Sequence, residues 1–213
     1  MAQDTLAPWA EIVPGKGRMT VDELLALPDD GWMYELVQGM RFRMPHKGNE
    51  ASMIGVRIAA AIGSFVDERN LGILTGANGV YNLTQDGGDF ETALIPTAAF
   101  VSADRLPPRD SPEFARALRL APDLVVEVVS PSQYRRADPP SRSEEDRPEM
   151  AAKARRYLAA GGRLLWMVWP KYQQVDIWRA GAADPAATLG ASDTLDGENV
   201  LPGFTYPIAR LFK

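Results

Sequence analysis

The run Leu124-Val125-Val126-Glu127-Val128-Val129 constrains the fold more than any other stretch of the chain. It is nearly continuous β-branched sequence with no polar face, so it predicts a central strand covered on both sides. Ser130-Pro131-Ser132 ends it. A covered strand needs layers of other elements on its sheet. Glu127 is the exception within the run. A buried carboxylate is costly without a cation, a metal or a proton. Two readings follow: Glu127 opens onto a functional site, or it is a strand-end acid that meets a solvated groove or an arginine. Asp123 precedes it by four residues. That spacing puts both on one face but roughly 13 Å apart, too far to share a metal. Asp123 is expected to cap the start of the strand after Pro122.

The other elements follow from local pattern. Thr20 and Glu23 form a capping-box sequence that predicts a helix over 21–27, stopped by Pro28. Met33 to Val37 and Met40 to Met44 read as a hairpin turned at Gln38-Gly39. Met53, Ile54, Ile58, Ala61, Ile62 and Phe65 recur at helical spacing over 50–68. Short strands are expected near Ile73, at 80–83, 92–95 and 98–101. The polar, Pro- and Arg-rich residues 133–148 read as a mobile loop. A helix over 148–160 stops at Gly161-Gly162. Strands over 164–168 and 175–178 and a short closing helix over 207–212 complete the order. Residues 1–18 read as a flexible tail and 19–213 as a single mixed α/β (α+β) domain.

Composition removes several functions. The 213 residues include no cysteine and one histidine, His46. A thiolate zinc site, a cysteine nucleophile and any two-histidine metal site are therefore excluded. No apolar run approaches a membrane span. Absent cysteine points to a cytoplasmic location. The net charge of −5 argues against tight non-specific DNA binding, because phosphate neutralisation supplies most of that affinity. A local basic patch remains open among Arg135, Arg136, Arg142, Arg147, Lys153, Arg155 and Arg156. No phosphate-binding glycine loop is present.

Alone, Lys153 reads as part of a solvated basic helix face, Glu35 as an outward-facing strand residue, and His46 as a surface residue. Trp166, Trp169 and Trp178 read as sheet packing. Taken in series, several segments resemble the Uma-two family of putative restriction endonucleases, bacterial proteins of the PD-(D/E)xK superfamily. Met19 to Pro28 is similar to its opening helix, and Tyr34-Glu35-Leu36-Val37-Gln38-Gly39 to its hairpin. The stretch Ala121 to Ser132 matches its most distinctive motif. Lys153, Tyr157, Ala160-Gly161, Trp166 and Leu201-Pro202-Gly203-Phe204 keep its later spacing.

The resemblance implies a restriction-endonuclease-like core: a mixed β-sheet flanked by helices, with an N-terminal helix and hairpin. It also implies Mg²⁺ or Mn²⁺ held by carboxylates, and metal-dependent hydrolysis of DNA phosphodiesters. By residue, it implies Glu35, Glu127 and Lys153 as the catalytic set, with Glu127 and Thr97 at the metal. Val129 fills the usual lysine position, so Lys153 supplies the amine from the helix. Thr97 stands where the family carries its first metal-binding aspartate. Gln38, Met40 and Ala51 also depart from the family pattern. Pairing to cut two strands suggests a homodimer. Two outcomes are expected: an endonuclease with a degenerate first acid, or a catalytically inactive nuclease fold serving as a binding or assembly module. In the second, Glu127 and Lys153 form a buried ion pair.

Overall fold

In the computed structural model, residues 11–12, 17–44, 46–84, 88–130 and 147–213 are described. In chain order the elements are β1 (Glu11–Ile12), α1 (Val21–Leu25), β2 (Met33–Val37), β3 (Met40–Met44), α2 (Asn49–Arg69) and β4 (Gly72–Thr75). Then come β5 (Tyr81–Asn82), β6 (Ala93–Leu94), β7 (Ala98–Ser102), α3 (Pro112–Arg116), β8 (Leu124–Val128) and α4 (Arg147–Ala159). The chain closes with β9 (Leu164–Trp169), β10 (Gln174–Arg179), β11 (Ala187–Leu189), β12 (Thr194–Asp196) and β13 (Thr205–Pro207).

The main sheet has the order β11-β10-β9-β8-β7-β4. Its β8–β9 pair is parallel, and the other pairs are antiparallel. The parallel pair requires a crossover, and α4 lies in that connection. β8 is an interior strand, buried at all five positions. Leu124, Val126 and Val128 face α2 with Ile54, Ile58 and Ile62. Val125 and Val129 face the other way, with Ala154 and Tyr157 of α4. Strand alternation puts Glu127 on this α4 side.

A second sheet, β1-β3-β2-β6-β5, carries the hairpin. Gln38 and Gly39 turn it with φ of 50° and 74°. Positive φ at both central residues matches the twist of a two-residue hairpin turn. Thr20 and Glu23 cap α1 reciprocally, and Leu36 meets α1 in a small separate core with Val21 and Leu24.

Several expectations need correction. Helix α1 ends at Leu25, and the expected closing helix is a single 3-10 turn over Ile208–Arg210 after β13. Within the expected tail, Glu11–Ile12 pair with β3. Asp123 sits immediately before β8 as expected, and what it caps is the neighbouring end of β7. Its carboxylate is fully buried, accepts from Ser102 N at 2.9 Å and pairs with Arg105 at 2.8 Å. The loop expected over 133–148 falls mostly outside the described residues. Among the described residues no helix is long and apolar enough to cross a membrane.

Candidate active site

Four elements converge on one point. β2 brings Glu35 from the second sheet, β8 brings Glu127, α4 brings Lys153, and the residue before β7 is Thr97. All four are buried: Glu35 is 5% exposed, Glu127 3%, Thr97 5% and Lys153 8%. Lys153 Nζ lies 2.7 Å from Glu35 Oε1 and 2.8 Å from Glu127 Oε1. It thus ties the two sheets together. Ile95 N donates to the same Glu35 oxygen at 2.9 Å. The solvated-face reading of Lys153 and the outward-facing reading of Glu35 are both corrected. The α4 register points Lys153 inward beside Ala154 and Tyr157, and β2 alternation turns Glu35 away from Leu36.

Thr97 is held from three directions. Its hydroxyl donates toward Glu127 Oε2 at 3.4 Å and accepts from Val128 N at 3.0 Å. β7 starts one residue later, so the threonine side chain satisfies a β8 amide that lies next to the β7–β8 ladder. The third partner is Lys47, whose Nζ donates to Thr97 Oγ1. Gly55 of α2 makes room for the threonine methyl: a Cβ there would sit 2.7 Å from Thr97 Cγ2.

Lys47 was not singled out by sequence. It lies beside His46 in the loop between the hairpin and α2. His46 is exposed and packs against Trp32 with ring centroids 4.9 Å apart and planes tilted by 32°. The signal that could have found Lys47 was Thr97 itself, since a lost carboxylate changes the charge its neighbours can tolerate. Tyr157 was noted only for its spacing. It is fully buried beside Glu127, and its hydroxyl lacks a hydrogen bond of normal geometry.

The electrostatics follow from burial. Burial lowers the Lys47 pKa, aided by the Lys153 charge, while Glu127 and Glu35 pull the other way. Burial also opposes the Lys153 charge, but Glu127 and Glu35 together outweigh it and raise its pKa. Burial and the two carboxylates raise Tyr157 well above the ordinary phenol value. A cavity of about 20 Å³ opens between Lys47, Glu127 and Lys153, walled by Met33, Met44 and Ile95. That is space for one water.

The profile of a family described as "putative restriction endonuclease" matches residues 21–209. The chain belongs to the Uma-two family. No curated protein matches the sequence. Among solved structures it is similar to an Anabaena variabilis protein described as a putative nuclease belonging to DUF820. The two share 18% identity with a TM-score of 0.67, over 91% of this chain and 97% of that one. The fold is restriction-endonuclease-like, a mixed α+β arrangement with the main sheet between α2 and α4.

Restriction-endonuclease-like proteins generally use divalent metals. The residues of this Uma-two chain do not fit such an ion as they stand. Among the described residues, no three histidine, cysteine, aspartate or glutamate side chains form a metal-holding group. Glu127 and Thr97 together offer one negative charge, and each already meets an ammonium. By Coulomb's law each ammonium beside the pocket cancels the attraction that one carboxylate at a similar distance would exert on a divalent ion, so Lys153 and Lys47 offset Glu35 and Glu127. The expected metal pair, Glu127 and Thr97, is therefore brought together in space but occupied by the protein's own cations. Asp89 and Glu91 do not relieve this, since Asp89 is exposed and Glu91 instead accepts from Val21 N at the start of α1.

Proposed function

We propose that this Uma-two protein acts on DNA phosphodiesters at the mouth of the cavity between Glu127, Lys153 and Lys47, cutting slowly. The observation that carries the proposal is the convergence of Glu35, Glu127 and Lys153 from three separate elements, with Glu127 and Lys153 lining one cavity. Packing alone has little reason to gather three charges there, because burying them is expensive. Glu35 orients Lys153. Lys153 keeps a third N–H after meeting both carboxylates, and that donor stabilises negative charge growing on a phosphoryl oxygen. Glu127 takes the proton from a water in the cavity as the water oxygen attacks phosphorus. The bond to the leaving deoxyribose oxygen breaks, and solvent protonates that oxygen. The expected Mg²⁺ or Mn²⁺ has no step in this reading, because the donor set does not fit it.

One observation favours the second reading, a non-cutting nuclease fold that binds nucleic acid or a partner. Lys153 is shared between Glu35 and Glu127 at under 3 Å, so the cluster's charges largely satisfy one another.

A plasmid-nicking assay separates the two. Slow nicking that survives chelator and disappears in Glu127→Gln and Lys153→Met supports the first reading. DNA retained in a gel shift without nicking leads to the second. Nicking that requires added Mn²⁺ would overturn the argument against the ion.

A further inference from the structure

We propose that Lys47 is a built-in cation that takes the place of a divalent ion beside Glu127 and excludes it. The inference stands on the geometry of the pocket and does not require that the protein cuts DNA. Lys47 Nζ donates to Thr97 Oγ1, and the same hydroxyl reaches Glu127 Oε2 at 3.4 Å. The ammonium therefore sits on the neutral ligand of the expected metal pair, one hydroxyl away from the charged ligand.

Two further features hold it there. The residues on either side of Lys47 are both tethered, His46 by its tilted ring contact with Trp32 and Gly48 by its N–H donating to Ser130 Oγ at 3.3 Å. Met33, Met44 and Ile95 supply an apolar stretch of the pocket wall. Charge balance points the same way: Glu35 and Glu127 face Lys153 and Lys47, two carboxylates against two ammonium groups. A threonine hydroxyl offers lone pairs that suit an ammonium but no charge for a hard dication. Thr97 and Lys47 thus form a matched pair, each explaining the other. Lys47 is the residue that decides which cation the pocket holds.

The test uses the full chain with Mn²⁺ alone, without DNA, followed by calorimetry and by the electron paramagnetic resonance of free Mn²⁺. Wild type should show no saturable binding. Thr97→Asp alone should gain little, because its new carboxylate pairs with Lys47. Thr97→Asp combined with Lys47→Met should bind at least about tenfold more tightly than Thr97→Asp, with the gain lost on adding Glu127→Gln. Thr97→Asp binding as tightly as the double variant overturns the proposal. Should the variants not fold, as judged by circular dichroism, wild type still decides. Saturable Mn²⁺ binding that raises its melting temperature overturns the proposal, and a melting curve indifferent to Mn²⁺ and chelator supports it. Failure to nick DNA bears only on the proposed function, because neither readout involves cleavage.

Discussion

Removing the Lys153 ammonium would leave Glu35 and Glu127 buried and facing one emptied position. Breaking a buried ion pair from one side typically costs about 3–5 kcal/mol. Lys153→Met should therefore lower the urea midpoint strongly. Adding Glu35→Gln should recover part of the loss, since fewer charges then stand uncompensated. No recovery would mean that Lys153 stabilises through packing. The same residues set the behaviour in alkali. Lys153 is raised above 10.5, so its contribution is complete below that value and fades as pH climbs through the folded pKa. Tyr157 is raised above 10.0, and Tyr81 is pushed up to about 12 by burial, against its Thr75 hydrogen bond. Unfolded phenols ionise first, so the folded state holds more protons and stability falls above about pH 10. Lys47 is lowered and works oppositely: stability rises with pH through the window just below 10.5. Urea midpoints at about pH 8 and about pH 11 should differ markedly in wild type and less in Tyr157→Phe. An equal drop in both would remove Tyr157 from the account.

Helix α2 shows how one element serves both packing and site. Its buried face, Ile54, Ile58, Ile62 and Val66, recurs every four residues and lies on β8. Two glycines interrupt it with opposite consequences. Gly63 has room, since an added Cβ would meet Leu74 Cδ2 at an ordinary 3.5 Å. Gly63→Ala should stabilise by about 0.5–1 kcal/mol through helix propensity. Gly55 has none, because a Cβ would sit 2.7 Å from the Thr97 methyl. Gly55→Ala should destabilise despite the same propensity gain, and should displace Thr97 from Lys47 and Val128. Thermal melts of the two variants, measured side by side, check the sign of each. Similar gains in both would mean that the contact at Thr97 is loose.

Across the whole molecule, β8 is the shared wall of two cores. One lies under α2 and the other under α4, with Glu127 at the polar edge of the second. Because one strand belongs to both, damage on either side should be felt as a single cooperative loss. Ile58→Ala on the α2 side and Leu165→Ala on the α4 side should each cost about 2–5 kcal/mol. Each should also move the far-ultraviolet and tryptophan signals together. Separate transitions in either variant would show that the two cores fold independently.

The sequence alone determined β8, its interior position and its unusual acid. A β-branched run without a polar face admits few other placements. The hairpin and the long helices were legible for the same kind of reason, since turn chemistry and periodicity are local signals. Glu35, Glu127 and Lys153 were legible as a set only through resemblance, because each has a bland reading by itself. Only the tertiary structure decided that Lys153 is buried between two carboxylates and that Asp123 pairs with Arg163 as well as Arg105. It alone brought Lys47 onto Thr97. These are pairings across 118, 40 and 50 positions of chain, and local pattern carries no information about partners that far away. Charge compensation in a buried pocket depends on which groups meet in space, so it became visible only once the sheets and helices had closed around it.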